Sequence, residues 1–221
     1  MKTVHDTFGA ASCRADGLCA LRPAMPQGFM DAESLMRVAE VVRKYDLPGV
    51  RATGAQRLEI HGIPPELVDT VTQAVGSLDG KCPFMMTLCL GKGQCSRGLQ
   101  DTRSMAAALE NMLEAMTDIS VRPKFGVSGC PRGCGQSWVR DIGLIGDAKG
   151  WTLLFGGAAG RKARPGEIIA KHLCDGDVLK YVKRTLDFFA GNAKKGERAA
   201  GFAERIGMEA VRQAAQNPEP E

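Results

Sequence analysis

Four cysteines occur as two spaced pairs, Cys89-x5-Cys95 and Cys130-x3-Cys134, and the second pair lies in Ser128-Gly129-Cys130-Pro131-Arg132-Gly133-Cys134-Gly135. Thiolates are soft ligands, and two turns that deliver four of them can hold one [4Fe–4S] cluster, with a cysteine at each iron. The glycines and the proline hold the backbone in a tight loop. Small neighbours also let backbone N–H groups approach the cluster sulfurs and tune the potential. Structural zinc is the competing use of four thiolates, but the five-residue gap lies outside its usual roughly two to four, and 34 residues separate the two pairs. Cys13-x5-Cys19 repeats the first spacing without a Cys-x3-Cys partner, so it reads as unliganded or as a structural pair. Cys82 and Cys174 sit in or beside apolar runs and read as small core residues.

Basic residues crowd the same region. From Cys89 to Arg140 there are seven (Lys92, Arg97, Arg103, Arg122, Lys124, Arg132, Arg140) against four acids, in a chain whose overall net charge is +4. That bias suits an anionic ligand near the cysteines. Nucleic acid would also draw basic residues. However, no basic helix face is interleaved with aromatics, and only 5% of residues are aromatic. The glycine run Gly156–Gly160 lacks the Lys-Ser/Thr of a phosphate loop, and no flavin or dinucleotide fingerprint occurs. Met1–Ser12 has neither the charged nor the apolar region of a secretory signal, and no apolar stretch is long enough to cross a bilayer. These features predict a cytoplasmic protein in a reducing compartment, without nucleic acid or membrane partners, where clustered cysteines serve metals more often than bridges. His5, His61 and His172 are too scattered to form a ligand set, and His61 reads as a strand-end residue.

The elements that must position these residues fall into two parts. Residues 1–86 read as a small α/β unit. It has a short apolar run at Leu18–Met25 and a helix over Asp31–Tyr45 with Asp31 as N-cap. Strands follow at Val50–Thr53 and Arg57–His61 around a Gly54-Ala55 turn, then a helix opened by Pro64-Pro65 and a strand at Phe84–Leu88. The order βαββαβ is the split ferredoxin-like motif. Residues 87–215 carry the cysteine loops. Asp101–Met116 is a helix with Met105, Leu109, Met112, Leu113 and Met116 on one core-facing stripe. Strands are predicted at Phe125–Ser128, Asp141–Ile145 and Trp151–Phe155, and helices at Gly176–Phe189 and Gly196–Ala215. Trp138 and Trp151 are expected near the cluster loops, and Lys194, Lys195 and Arg198 read as a solvated face. Residues 216–221 form a disordered tail. The fold class predicted is α+β, a ferredoxin-like half packed against an iron–sulfur half.

Three segments together resemble the nitrite and sulfite reductase family. Thr53-Gly54-Ala55-Gln56-Arg57 is similar to its T-G-x-Q-R segment, Val127–Cys134 to its second cluster loop, and Phe155-Gly156-Gly157-Ala158-Ala159-Gly160 to the glycine-rich strand end that follows. The likeness runs from about Leu18 to Arg205. It implies sirohaem beside the [4Fe–4S] cluster, in a cleft between the halves, with Cys89, Cys95, Cys130 and Cys134 as cluster ligands and Cys134 bridging to the sirohaem iron. It also implies that Arg51, Thr53, Gln56 and Arg57 face the sirohaem and its distal pocket. Arg122 and Lys124 would contact substrate, and Gly157, Arg161 and Arg164 would line a sirohaem carboxylate.

The implied activity is six-electron reduction of sulfite to sulfide, with electrons from an external protein such as a ferredoxin. Nitrite reduction to ammonia at the same site is the alternative. Many sulfite reductases place an arginine where this chain has Ala55, which opens the choice of substrate. The long family members hold two related halves and this chain has one, so a second copy would complete the pocket unless the cofactor is more exposed. A monomer or homodimer is expected. Nitrite reductase large subunits of this type carry nucleotide-binding domains ahead of the sirohaem region, which tilts the expectation toward sulfite. Two rivals from other classes remain, a haem-free iron–sulfur electron carrier and a regulatory module that only binds sirohaem. The set Arg51, Arg57, Arg122 and Lys124, which a simple carrier does not need, separates the enzyme from the first.

Overall fold

Asp31 caps the first long helix, α1 (Ala32–Lys44), through its Oδ1, which accepts the Ser34 N–H at 2.7 Å. The carboxylate is held below its usual pKa by that contact and by the Ser34 side chain. This computed structural model describes residues 11–76, 84–116 and 120–217. Contacts divide the chain into two units, 1–83 and 84–221.

In the first unit, β1 (Ala11–Cys13) and β2 (Cys19–Leu21) form a hairpin. After α1 come β3 (Gly49–Ala52), β4 (Leu58–Ile63), a 3-10 turn at Pro65–Leu67 and α2 (Val68–Val75). The sheet is antiparallel in the order β1-β2-β4-β3. Leu21, Ile60 and Ile63 bury against Val38, Val41, Val71 and Val75 of the helices. The helix and strand expectations for residues 31–63 hold within a few residues. The final strand does not belong here. In place of Phe84–Leu88, the position beside β2 is filled by β1, from the other end of the unit.

That strand, β5 (Met85–Leu88), opens the second unit instead, so the division falls after Pro83 rather than after residue 86. It is followed by α3 (Thr102–Ala115), β6 (Lys124–Ser128), β7 (Ile142–Asp147), β8 (Gly150–Phe155), β9 (Glu167–Leu173) and α4 (Asp175–Asn192). The sheet order is β5-β6-β7-β8-β9, parallel from β5 to β7 and antiparallel beyond. Crossover from β5 to β6 runs through α3, whose Met105, Leu109 and Leu113 are buried and whose Met112 and Met116 pack against the same core, as the stripe predicts. Strand β9 carries no strong alternation and was not legible in the sequence. The last helix divides into α5 (Ala199–Ile206) and α6 (Met208–Gln216) because Gly207 turns at φ 91°. Phe202 of α5 packs among Phe155, Phe188 and Phe189. Among the described residues no helix is long and apolar enough to cross a membrane.

Cys174 is exposed rather than in the core, because it occupies the N-cap of α4 with its Sγ 3.1 Å from Asp177 Oδ2. Cys82 lies outside the described residues. Trp151 is buried and its Nε1 donates to Asp175 Oδ1 at 2.7 Å.

Two glycines set opposite limits on substitution. A Cβ on Gly143 of β7 would lie 2.0 Å from the Ser137 carbonyl oxygen, whereas one on Gly201 of α5 meets nothing within 4 Å. Gly143→Ala should cost about 1–3 kcal/mol and Gly201→Ala should stabilise by about 0.4–1 kcal/mol, both read from chemical denaturation of the whole chain.

Candidate metal centre and active site

Parallel pairing of β5 with β6 places Leu88 opposite Val127, so the two cysteine loops leave the sheet side by side. The Cys89 N–H donates to the Val127 carbonyl at 3.1 Å, and the Gly129 N–H approaches Cys89 Sγ at 3.2 Å. That second contact is the kind of backbone donor to a ligating sulfur that tunes a cluster. Leu99 and Gln100 both donate to the Gly129 carbonyl, at 2.8 and 3.0 Å, closing the first loop onto the second. Glycine is required at this seam: a Cβ on Gly129 would stand 2.6 Å from the Gln100 carbonyl oxygen, and one on Gly98 would stand 2.2 Å from that of Gly91.

The second loop is fastened beneath by hydroxyls. Ser128 Oγ accepts the Gly135 N–H at 2.9 Å and lies 2.7 Å from Ser137 Oγ, which donates to the Leu144 carbonyl at 2.8 Å. Both serines are fully buried. No sequence signal beyond the loop's length marked them.

None of the four cysteines is disulfide-bonded; Cys89 and Cys95 are half-buried, Cys130 is buried and Cys134 is exposed. Among the described residues no three His, Cys, Asp or Glu side chains are gathered as tightly as one metal ion needs. A four-iron cube is several ångström across and takes its sulfur ligands further apart. Soft thiols on two interlocked loops, with a backbone N–H already aimed at one sulfur, fit that group, and Cys134 is the thiol left facing outward. Trp138 stands beside this loop, its ring 3.0 Å from where a Cβ on Gly133 would be.

The basic candidates fall into two places, each within one unit. In the first, Thr53 clamps the turn between β3 and β4: its N–H donates to the Arg57 carbonyl at 2.8 Å, and its Oγ1 accepts the Arg57 N–H at 3.2 Å. Gln56 at φ 56° makes the turn tight. Arg51, exposed on β3, pairs across the ladder with Glu59. Glu59 is buried although charged, because Arg14 and Arg22 each approach it at 3.1 Å and His61 Nε2 stands 3.2 Å away. His61 thus lies inside β4 rather than at a strand end, its Nε2 buried beside that carboxylate without a hydrogen-bond partner. Cys13 and Cys19, directly opposite in the hairpin, form a disulfide that closes the loop carrying Arg14, which is the structural-pair reading of these two cysteines.

In the second unit, Lys124 and Gly157 share the wall of a pocket of about 480 Å³ with Arg140, Asp141 and Arg198. Arg198, at the N-cap position of α5, is exposed as the solvated-face expectation has it, and it also pairs with Asp141 and donates to the Arg122 carbonyl at 3.2 Å. Buried Asp141 also accepts the Lys124 N–H at 2.8 Å. Arg161 is exposed, and Arg164 is committed to Glu167 and Glu204, at 3.0 and 3.1 Å, so its charge is balanced locally.

Adding one methyl group at the loop seam tests its importance. Gly129→Ala should lower the iron and sulfide retained after anaerobic reconstitution and reduce stability by about 1–3 kcal/mol, measured on the same preparation by metal analysis and thermal melting.

Known proteins extend this picture to residues 14–221. Residues 79–221 match the nitrite and sulphite reductase 4Fe-4S domain, and residues 14–78 match the nitrite/sulfite reductase ferredoxin-like half domain. An assimilatory-type sulfite reductase of Nitratidesulfovibrio vulgaris is 35% identical over 199 residues, covering 88% of this chain and 91% of that protein. A nitrite reductase [NAD(P)H] of Bacillus subtilis is 31% identical over 95% of this chain, which spans only 26% of that protein. Among solved structures, the NirA protein of Mycobacterium tuberculosis shares the fold with a TM-score of 0.73 at 24% identity, over 93% of this chain and 41% of that one. With both half domains present in order, the chain belongs to the nitrite and sulfite reductase family, whose cofactors are a [4Fe–4S] cluster and sirohaem.

Proposed function

We propose that this chain reduces sulfite to sulfide. The observation that carries the reading is the pair of interlocked loops with Cys89, Cys95, Cys130 and Cys134 at the ends of adjacent parallel strands. Similarity to a sulfite reductase along 91% of that protein supports sulfite over nitrite. Reduction of nitrite to ammonia is the alternative, since both oxyanions take six electrons and the similarity to nitrite reductases spans nearly the whole of this chain.

When bound, the cluster and sirohaem supply electron delivery and an iron that takes the substrate. The chain's own residues do the rest. Cys89, Cys95, Cys130 and exposed Cys134 would hold the cluster, and Cys134 would also be the thiolate shared with sirohaem. Thr53 keeps Gln56 and Arg57 in their turn, and Arg51 stands on the neighbouring strand. These residues and Arg161 would meet carboxylates of the macrocycle, and Gly157 would give its loop a close approach. Arg57, Arg51, Arg122 and Lys124 would supply positive charge and hydrogen-bond donors to an oxyanion substrate, with Lys124 the one of the four able to release a proton. Arg164 braces the loop through its two carboxylate partners rather than meeting an anion. Electrons come from an external protein of the ferredoxin class, and the chain acts as a monomer or homodimer.

An absorption spectrum of protein purified without air from sirohaem-producing cells tests the reading. A Soret band, a red chlorin-type band and a shift on adding sulfite are expected; a plain iron–sulfur spectrum would reduce the protein to an electron carrier. Cys134→Ser should abolish sulfite turnover, and full activity in that variant would refute the bridge. Neutralising Arg122 and Lys124 together should lower sulfite turnover by about tenfold or more, measured with an artificial reductant.

A further inference from the structure

Among the described residues of the second unit, only Arg140 has a buried side-chain nitrogen or oxygen without a hydrogen-bond partner. Its Cγ lies where a Cβ on Gly126 would come within 2.9 Å, so the side chain crosses β6 only because that strand has glycine there. One end of the guanidinium donates to Gln136 Oε1, while Nε is shut off from solvent with no hydrogen-bond partner. A buried charged donor without an acceptor is costly unless something else supplies the oxygen. The surroundings do not supply it. Asp141, the acid of the pocket, is occupied by Arg198 and by the Lys124 N–H. The Lys124 ammonium makes no ion pair among the described residues, which leaves two cations facing the same 480 Å³ space. Burial pushes the Arg140 pKa down, Asp141 opposes that shift, and Arg198 adds to it by a smaller amount.

The wall opposite is built for close approach. A Cβ on Gly157 would stand 2.5 Å from the Trp138 carbonyl oxygen and 2.6 Å from that of Arg140, so only glycine lets this loop close against the Arg140 backbone. The segment from Cys134 to Arg140 runs back along β6, past Gly126, which joins the pocket to the cysteine loop through few residues.

We propose that this pocket, with Lys124 on its wall, is an oxyanion-binding subsite in which Arg140 is the principal donor. Its ligand is either a peripheral carboxylate of sirohaem, a source that rests on the function proposed above, or a free inorganic oxyanion, a source that does not. Neither Arg140 nor the buried state of its Nε was singled out by any sequence pattern.

The test compares wild type, Arg140→Gln and Arg140→Lys, each loaded with its cluster, in two titrations. Sirohaem binding is followed by its Soret band and inorganic sulfate binding by calorimetry, while cluster absorption and melting show that each variant is folded. Loss of about ten- to a hundredfold in sirohaem affinity in Arg140→Gln, partly restored in Arg140→Lys, supports the subsite with a carboxylate ligand. The same loss for sulfate, with sirohaem affinity unchanged, supports it with a free oxyanion. Equal affinities for both ligands across wild type and Arg140→Gln overturn it. If wild type takes up no sirohaem, the proposed function fails and the sulfate titration alone decides the subsite: loss in Arg140→Gln supports it, and no binding or no loss overturns it.

Discussion

Parallel pairing between β5 and β6 is the constraint on which the metal centre depends. Antiparallel neighbours would carry the two cysteine loops to opposite ends of the sheet. Parallel neighbours bring both C-terminal ends to one edge, and the register of Leu88 with Val127 sets how far apart the loops start. That arrangement demands a crossover, which α3 provides, and the buried stripe of α3 is what holds the crossover to the sheet. Thiols 41 residues apart in sequence, Cys89 and Cys130, become neighbours through one strand pairing.

The loops then depend on what is missing from their side chains. Gly91, Gly98 and Gly129 meet at distances no Cβ tolerates, and the backbone hydrogen bonds at Gly129 fill the space instead. Beneath them, the Ser128–Ser137 pair ties the second loop to β7 with buried hydroxyls whose partners are all within the protein. A polar network of this kind is stabilising only when complete, so it fixes one conformation of the loop that ends at Cys134.

Charge follows a different logic in each unit. The first unit gathers Arg14, Arg22 and His61 around buried Glu59, with Arg51 across the ladder, so one carboxylate organises a basic surface. The second unit pairs Arg198 with Asp141 and leaves Arg140 and Lys124 facing a cavity. The first arrangement supplies Glu59 with counter-charges from within its unit, while His61 Nε2 has no hydrogen-bond partner. The second waits for an acceptor.

Much of the chemistry was legible in the sequence because it is local. The cap at Asp31 and the stripe of α3 each depend on residues near one another, and the structure places them as their patterns imply; the spacing of Cys89, Cys95, Cys130 and Cys134 is local in the same way and sets them on two neighbouring loops. What the sequence could not determine is long-range. Strand β5 reads identically whether it closes the first sheet or opens the second, and only its buried pairing with β6 decides. Arg198 stays exposed as its sequence suggests, but only the start of α5 brings it to Asp141, and Cys174 looks like core until α4 begins at it. Arg140 is one arginine among seven basic residues in its region; burial of its Nε arises from the tertiary packing of a loop over glycine, a relation between distant residues that no spacing along the chain encodes.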